Sequence, residues 1–261
     1  MPEKIVTKGL VLRQTQTKEA DKILTVLTAE HGKLAVVARG ARRKNSKIAA
    51  ASELLAFSEL VLYEQHGWLM LSEGAIIELW NNIRRDVELL SLASYFAEMT
   101  EAVTGEEPAG ETLSLLLNAL YALDTLGKPP ELVKAAFELR LLALSGYEPL
   151  LDRCAVCGKT APEEPVFDAR QGVVLCRSCA GAAAVGPAAS GGLLPLDPGA
   201  LAAMRHVVGS ERKRMLSFTL NGETKQRFAR ACETFARVQL DRDFRTLDFY
   251  KSLRAPKFDN K

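Results

Sequence analysis

Two pairs of cysteines constrain this chain more than any other feature of its sequence. Each pair has two residues between its members, and eighteen residues separate the pairs, which are Cys154 with Cys157 and Cys176 with Cys179. A two-residue gap lets both sulfur atoms of a pair point at one ion, and two pairs supply four thiolates in a tetrahedron. The sequence therefore predicts a four-cysteine element that binds one Zn²⁺. Between the pairs, PVFDARQGVVLC is typical of a hairpin that would carry the second pair back to the first.

The predicted zinc is structural. A catalytic zinc normally keeps one coordination position open, whereas four thiolates close the site. A zinc deaminase would also need a His-x-Glu motif, and none of the three histidines is followed by Glu two positions later. The alternative is that the four cysteines are free thiols in a core. The fifth cysteine, Cys232, lies on the apolar face of a predicted helix and is most simply a core residue.

The first eighty residues have the character of β-strands. Short stretches rich in β-branched and aliphatic residues are separated by turn signals such as AEHG and EQHG. Five strands in this length predict a small barrel, and their order favours an OB-fold, which binds oligonucleotides on one face and its loops. An SH3-like barrel is the alternative, and AAASELL predicts a short bridging helix. The five strands are IVTKGLVL, KILTVLT, KLAVVA, FSELVLYE and WLMLSEGAII.

From Arg84 the hydrophobic period becomes that of helices. Three segments are rich in Leu and Ala and acidic on their outer face, which predicts that they pack together as a small bundle. They are DVELLSLASYFAEMTEAV, ETLSLLLNALYALDTL and PELVKAAFELRLLALSGY. After an Ala/Gly/Pro-rich linker comes a last long helix with one apolar face, formed by Phe228, Ala231, Cys232, Phe235 and Val238.

We therefore expect an α+β multidomain protein. It should have an N-terminal five-stranded OB-fold barrel, an α-helical domain and an inserted four-cysteine zinc element. The expected boundaries are 1–80 for the barrel, 81–150 for the first helical part, 151–182 for the zinc insertion, and 183–261 for the second helical part and tail. The tail mixes cations with Phe244, Phe249 and Tyr250, which could dock against the core or contact nucleic acid.

The net charge of +2 hides a segregation of charge along the chain. Residues 1–50 contain 11 Lys/Arg and 4 Asp/Glu, whereas residues 51–150 contain 5 and 16. The segment VVARGARRKNSK concentrates cations between the third and fourth strands. A basic loop on an OB barrel favours electrostatic binding of DNA phosphates, and a solvated loop is the alternative. The candidate DNA-binding residues are Lys33, Arg39, Arg42, Arg43, Lys44 and Lys47.

Neighbouring strands and turns add further charge to this candidate site, through Lys8, Arg13, Lys18 and Lys22. Aromatic side chains usually support the binding of single strands by stacking on bases, but residues 1–56 contain none. The sequence therefore predicts contacts to the phosphate backbone without base preference. A secondary basic zone near the C-terminal helices has a solvated helix face as its alternative, and its residues are Arg212, Lys213, Arg214, Arg227 and Arg230.

Other signals are absent. Gly158-Lys159-Thr160 resembles the end of a phosphate-binding loop, but Arg153 stands where that loop requires glycine. His31 and His66 lie beside glycines in predicted turns and are expected to be solvated rather than catalytic. The start does not have the pattern of a signal peptide, and no apolar stretch is long enough to span a membrane. We expect a cytoplasmic protein without a membrane partner.

The combination of these segments resembles the RecO family of bacterial recombination mediators, in its zinc-bearing branch. The likeness extends over most of the chain: GLVLRQTQTKEADKILTVLTAEHGKLAVVARGARRKNS, AFELRLLALSGYEPLLDRCAVCGK, GVVLCRSC and FRTLDFYKSL. The resemblance implies an OB-fold, a helical domain and a zinc element inserted between helices. It places DNA contact on the basic segment as a group.

The resemblance also implies a function without bond-breaking catalysis. Such a protein would bind single- and double-stranded DNA, anneal complementary strands and, with RecR and single-strand-binding protein, help to load RecA on gapped DNA. It would be associated with the nucleoid. Two alternatives from other classes are an RNA-binding zinc-ribbon factor of transcription or translation, and a metal-dependent nuclease, which would need a carboxylate cluster that the sequence does not display.

Overall fold

The structure is a computed structural model that describes residues 4–183, 192–211 and 214–254. The N-terminal strands are β1 Lys4–Thr17, β2 Asp21–Thr28, β3 Lys33–Ala38, β4 Phe57–Gln65 and β5 Trp68–Glu78. They form a closed barrel in the order β1-β2-β3-β5-β4. All pairs are antiparallel except β3 with β5, which run parallel. This arrangement confirms the five-stranded, OB-like barrel.

Strand β1 closes the barrel because it pairs with β2 on one side and with β4, the last strand in the order, on the other. Its first half, Lys4 to Leu10, pairs with β4, and its second half, Gly9 to Thr17, pairs with β2. A register shift between Val11 and Arg13 marks a bulge, which bends the strand between its two partners. Alternate residues of the strands face inward and form one apolar core, which includes Val11, Leu24 and Val36.

The connection between β3 and β4 is mostly turns. The short helix predicted from AAASELL is one 3₁₀ turn, Ala50–Ser52. It lies so close to β5 that a Cβ atom at Gly74 would come within 2.4 Å of the Cβ of Ala51. Lys22, which the sequence placed with the exposed cations, is only 5% exposed. Its Nζ donates to the Glu53 carboxylate (2.9 Å), the Gln14 side chain (2.7 Å) and the Ser52 carbonyl (3.3 Å), so it anchors this turn from inside.

The chain divides into two compact units, one of residues 1–127 and 244–261 and one of residues 128–243. In the first unit, the barrel is followed by α1 Asn81–Arg85, α2 Val87–Val103 and α3 Gly110–Asp124, and α8 Arg245–Arg254 packs on α2. The Asp86 carboxylate accepts from the N–H groups of Glu88 and Leu89 and caps α2. In the tail, Phe244 and Tyr250 are buried, whereas Phe249 is exposed.

The second unit combines three longer helices with a small sheet. Its elements are α4 Pro130–Leu144, α5 Arg177–Ala183, α6 Pro198–Gly209 and α7 Gly222–Leu240, with β6 Val166–Asp168, β7 Val173–Leu175 and β8 Leu193–Pro195 in the order β7-β6-β8. The expectation that α2, α3 and α4 form one bundle is wrong, because α4 groups with α6 and α7. The predicted apolar face of α7 is buried except for Val238, which is 37% exposed.

Candidate nucleic-acid interface and metal centre

The basic segment forms a structured turn at the end of β3. Gly40 has a φ of +65°, a left-handed conformation that favours glycine. Its N–H donates to the Asp21 carboxylate (2.8 Å), and its carbonyl accepts from the N–H of Arg43 (3.0 Å). Ala41 and Ile48 are buried in the barrel core and hold the turn at both ends. We call residues 39–48 the basic turn.

The cations of the basic turn face solvent. Arg39, Arg42, Arg43, Lys44 and Lys47 are all exposed. The barrel's ion pairs, Arg13 with Glu101 and Lys22 with Glu53, involve other cations. Within the described parts of the chain, no carboxylate lies within 4.0 Å of the charged groups of these five residues. Their charge is therefore available to a ligand.

Three of these cations share one groove, whose volume is about 360 Å³. Arg39, Arg43 and Lys47 line it, together with the polar side chains of Asn45, Ser46 and Ser72. Guanidinium and ammonium groups donate hydrogen bonds to phosphate oxygens, and hydroxyl and amide groups add neutral donors. This composition suits a stretch of phosphate backbone.

The structure does not bring Lys33 to the basic turn. Lys33 begins β3 and Arg39 follows its end, so six residues of extended strand, about 20 Å, separate them. The Nζ of Lys33 donates to the Glu101 carbonyl (2.8 Å). Arg13 also contacts this part of α2, through the Glu101 carboxylate (3.0 Å). These two cations therefore fasten α2 to the barrel.

The sequence did not single out Trp68 as a site residue. Its side chain is 53% exposed at the start of β5. In the parallel pairing of β3 with β5, Val36 lies opposite Leu69 and Val37 opposite Met70, and Trp68 lines the same pocket as Arg39. Parallel pairing between strands separated by a 29-residue connection leaves no local signal in a sequence. An aromatic ring therefore lines a pocket that Arg39 of the basic turn also lines.

The four predicted metal ligands come together in the second unit. The sulfur atoms of Cys154, Cys157, Cys176 and Cys179 all lie within 4.8 Å of one another. The Sγ atoms of Cys157 and Cys176 are 3.6 Å apart, far from the ~2.05 Å of a disulfide. Tetrahedral coordination with metal–sulfur bonds of about 2.3 Å would place sulfur atoms about 3.8 Å apart. The donor set and its spacing therefore fit one metal ion.

Two local structures build this cluster. In the first pair, the N–H of Gly158 donates to the Cys154 carbonyl (2.9 Å), and Gly158 has the left-handed φ that a tight turn needs. The β6–β7 hairpin, which confirms the predicted one, carries the second pair back. The N–H of Cys176 then donates to the sulfur of Cys154 (3.3 Å), which ties the two pairs together.

Electrostatics show what a bound cation would contribute to the four sulfur atoms. Burial raises the pKa of Cys154, but backbone N–H groups, including those of Cys157 and Cys176, outweigh this effect and lower the pKa to about 6. Burial and the thiols of Cys157 and Cys154 raise the pKa of Cys176 to about 11. One thiolate thus opposes the ionisation of its neighbours. Four thiolates at these distances would be stable together only around a positive ion.

Arg205 of α6 supports the first cysteine pair, a role for which its sequence context carries no signal. Its guanidinium donates to the carbonyl groups of Leu151 (2.7 Å), Asp152 (3.1 Å) and Thr160 (2.9 Å). These carbonyls flank the cysteine pair on both sides along the chain. Arg205 therefore satisfies backbone groups that the tight turn leaves without partners.

The secondary basic zone is not one surface. Arg212 and Lys213 lie outside the described residues. Arg227 pairs with Glu223, through Nε at 3.1 Å, and also donates to the Leu196 carbonyl (3.3 Å). Arg214 and Arg230 are exposed. Of the described members, only these two present their charge to solvent.

The described residues contain one group of three or more Cys, His, Asp or Glu side chains that could hold a metal, and it is the cysteine cluster. Among them there is thus no carboxylate cluster of the kind that a metal-dependent nuclease needs. The Nε2–H of His206 donates to the Arg214 carbonyl (2.8 Å). His66 lies in the tight β4–β5 turn. No helix in the described parts of the chain has the length and apolar character to cross a membrane.

Comparison with known protein families agrees with these features. Residues 1–80 match the family described as Recombination protein O N terminal, and residues 84–248 match Recombination protein O C terminal. The chain belongs to the RecO family. The first RecO match covers the barrel and the basic turn, and the second covers the helices and the cysteine cluster.

Curated relatives match most of the length of this RecO-family chain. The DNA repair protein RecO of Acetivibrio thermocellus is 30% identical over 248 residues, which are 95% of this chain and 96% of the relative. That of Symbiobacterium thermophilum is 32% identical over 257 residues, with 95% and 96% covered. That of Alkaliphilus metalliredigens is 34% identical over 181 residues, with 68% and 72% covered.

Proposed function

We propose that this chain is a DNA repair and recombination mediator that binds single- and double-stranded DNA and anneals complementary strands. The observation that carries the proposal is the groove of exposed, unpaired cations on the barrel of a RecO-family chain. Cations that contact two phosphate backbones reduce the repulsion between strands and release counterions. Annealing needs only this binding, so the proposed mechanism breaks no covalent bond, and the protein is not an enzyme.

The proposed partners follow from family membership. With RecR, the protein would help to load RecA onto DNA coated by single-strand-binding protein, in the cytoplasm at the nucleoid. The four segments expected from the sequence would serve as functional modules: the barrel at residues 1–80 for DNA, the four-cysteine insertion at 151–182 as a platform, and the helical parts at 81–150 and 183–261 for partners. The candidate DNA contacts are Arg39, Arg42, Arg43, Lys44 and Lys47, with Lys33 reassigned to a structural contact.

The metal of the cysteine cluster is proposed to be one structural Zn²⁺. Four thiolates are typical ligands of structural zinc, which they close to water. The ion would supply the positive charge that keeps the four sulfur atoms together. Metal analysis of the purified chain tests this, with one equivalent of zinc expected and a different metal or none contradicting it.

The affinity for a mixed-sequence single-stranded oligonucleotide, measured over a series of salt concentrations, tests the DNA-binding proposal. The test variant reverses three charges of the basic turn, with Arg42, Arg43 and Lys44 all changed to Glu. We expect affinity to fall by about tenfold or more, and the slope of log affinity against log salt to flatten by about 2, because each lost phosphate contact removes ~0.7. Annealing of complementary strands should slow in parallel.

A matched variant separates the effect of losing the basic turn's cations from the effect of changing the net charge. Changing Lys4, Lys8 and Arg85 to Glu removes three exposed cations elsewhere in the same unit. It should keep most of the affinity. Equal losses in both triple variants would contradict a localised DNA site. Competition between DNA and RNA of the same sequence completes the test, since preference for RNA would favour an RNA-binding factor instead.

A further inference from the structure

An apolar pocket of about 290 Å³ lies on the barrel's outer surface, next to the basic turn. Its floor and walls are formed mainly by Ile23, Val37, Met70, Trp68, His66 and Arg39. Phosphate binding in the basic groove does not account for this pocket, because phosphates bind to cations and polar groups rather than to apolar side chains.

The side chains that line the pocket depart from the usual alternation of inward apolar and outward polar residues along a barrel strand. Val36 is buried in the barrel core and Leu69 packs against that core, so their neighbours Val37, Trp68 and Met70 face outward. Outward positions are normally polar. Trp68 and Ile23 are instead large apolar side chains exposed to water, and clustered exposure of this kind marks a binding site.

The position of the pocket indicates what binds there. Its residues come from the end of β1 and the β1–β2 turn (Thr17 and Lys18), from β2 and β3, from the β4–β5 turn at His66, and from the start of β5 (Trp68 and Met70). Apart from β5, OB-folds bind oligonucleotides with these parts, namely the second and third strands and the loops between strands 1 and 2 and strands 4 and 5.

The charge around the pocket matches a polyanion. Arg39 lines both this pocket and the basic groove, so the two are adjacent. Lys18 adds an exposed cation at the rim. The lining carboxylate, Asp21, accepts a hydrogen bond from the N–H of Gly40 through Oδ1 (2.8 Å), which occupies that oxygen in holding the basic turn.

We propose that this pocket binds one unpaired base of single-stranded DNA, stacked on Trp68, while Arg39 and the basic turn hold the neighbouring phosphates. The inference rests on the DNA-binding function proposed above and makes it more specific. The volume lies at the lower end of the ~300–1,000 Å³ range of small-molecule sites, as a single base requires. Every base has a π face, so stacking tolerates any sequence.

This proposal changes the expectation drawn from the first 56 residues, which contain no aromatic side chain. The ring comes from residue 68, in a pocket that Arg39 of the basic turn also lines. A stacked base must be unpaired, so Trp68 should contribute to the binding of single strands and not of intact duplexes. Trp68 would thereby give the protein a preference for single-stranded over double-stranded DNA, which phosphate contacts alone cannot supply.

Tryptophan fluorescence provides a direct readout. The chain has two tryptophans, and Trp80 is buried, with its Nε1 donating to the Leu55 carbonyl (3.0 Å). Quenching by a single-stranded oligonucleotide therefore reports on Trp68. In Trp68→Phe the quenching should disappear while affinity stays within about threefold, because Phe can also stack. In Trp68→Ala affinity should fall by about 5- to 150-fold, which corresponds to ~1–3 kcal/mol per stacked base.

An abasic oligonucleotide of the same length separates stacking from charge, since it keeps the phosphates and lacks the bases. Wild type should bind it more weakly than the normal oligonucleotide, and Trp68→Ala should bind both alike. Tyr121→Ala, which removes an exposed aromatic ring from α3, serves as the matched control and should behave as wild type. Circular dichroism checks folding.

The outcomes distinguish the two proposals. If wild type binds normal and abasic oligonucleotides equally, and Trp68→Ala matches wild type, the pocket inference is wrong while DNA binding by the basic turn stands. If wild type binds neither oligonucleotide, the proposed function itself fails. If Trp68→Ala does not fold, the loss of quenching in Trp68→Phe and the abasic comparison on wild type still decide the question.

Discussion

The basic turn of the barrel and helix α4 of the second unit both carry cations, but the two regions use charge in opposite ways. In the basic turn, five Lys and Arg side chains face solvent. In α4, Lys134 is buried, and its Nζ pairs with Glu138 at 2.7 Å and with Glu233 of α7 at 2.8 Å. The first arrangement leaves charge available for a ligand, whereas the second uses it to join two helices.

The difference shows that a count of cations does not measure the charge that a protein can offer. Lys22 and Lys33 belong to the same basic first fifty residues as the basic turn, yet both donate to groups inside their own unit. Substitutions in the two kinds of region should therefore separate cleanly. Buried charges should affect stability, and displayed charges should affect affinity.

The largest expected effect comes from the cysteine cluster. Cys176→Ser should abolish stoichiometric metal and lower the free energy of unfolding by about 5 kcal/mol, because structural zinc contributes on the order of 10 kcal/mol in zinc-finger peptides. Metal analysis and thermal unfolding check this. Cys232→Ser is the matched control, since its thiol is buried away from the cluster; it should keep the metal. Wild-type stability in Cys176→Ser would show that the cluster does not depend on metal.

The next largest effect is expected for Lys134→Met, which should lower the free energy of unfolding by about 3–5 kcal/mol. The reason is that it leaves Glu138 as a buried charge without its lysine. Denaturant unfolding measures it. The double variant Lys134→Met with Glu138→Leu should recover part of the loss, because it removes both charges. A loss as large in the double variant as in the single one would mean that packing, rather than charge, sets the effect.

The same lysine predicts a dependence on pH. Burial lowers the pKa of Lys134, but Glu138 and Glu233 outweigh it and raise the pKa above 10.5. A group whose pKa is raised by folding contributes its full stabilisation below the pKa of the unfolded state. This stabilisation is lost as pH rises through the pKa of the folded state. The stability difference between wild type and Lys134→Met should therefore shrink as pH rises above 10.5. A difference that grows in alkali would contradict this assignment.

Lys33→Ala should lower the free energy of unfolding by a smaller amount, about 1 kcal/mol, because it removes the hydrogen bond to the Glu101 carbonyl. Its affinity for single-stranded DNA should stay within about twofold of wild type, because Lys33 lies at the far end of β3 from the basic turn. Unfolding and binding are measured on the same sample. A loss of affinity equal to that of Arg43→Ala would return Lys33 to the DNA site.

The smallest expected change in stability is that of the triple reversal of Arg42, Arg43 and Lys44. Substitutions of exposed side chains usually stay within ~0.5 kcal/mol. Among the described residues, the one side-chain hydrogen bond of these three runs from Nη1 of Arg42 to the Glu19 carbonyl (3.2 Å), at the exposed surface. Its thermal midpoint should match wild type even though its DNA affinity falls. A marked loss of stability would mean that the basic turn has partners that its exposed cations do not reveal.

The sequence predicted those parts of the fold that depend on neighbours along the chain. The five strands, the β6–β7 hairpin and the two cysteine pairs each have a local pattern of spacing or alternation. The pocket that Trp68 and Arg39 share and the burial of Lys22 depend on strand pairing over long separations, which local patterns do not record. For the same reason, the similar compositions of α2, α3 and α4 did not indicate that α4 belongs to a different unit.

The membership of α8 in the first unit has a consequence for synthesis of the protein. The ring of Phe244, just before α8, packs edge-on against that of Tyr95 in α2 at 5.4 Å, and the Thr246 hydroxyl donates to the Glu98 carboxylate. A ribosome that adds about 5–20 residues per second needs roughly 6–23 seconds to make the intervening second unit. During that interval the nascent barrel and α2 lack α8, so the apolar surface of α2 that Phe244 covers in the finished protein stays exposed to water.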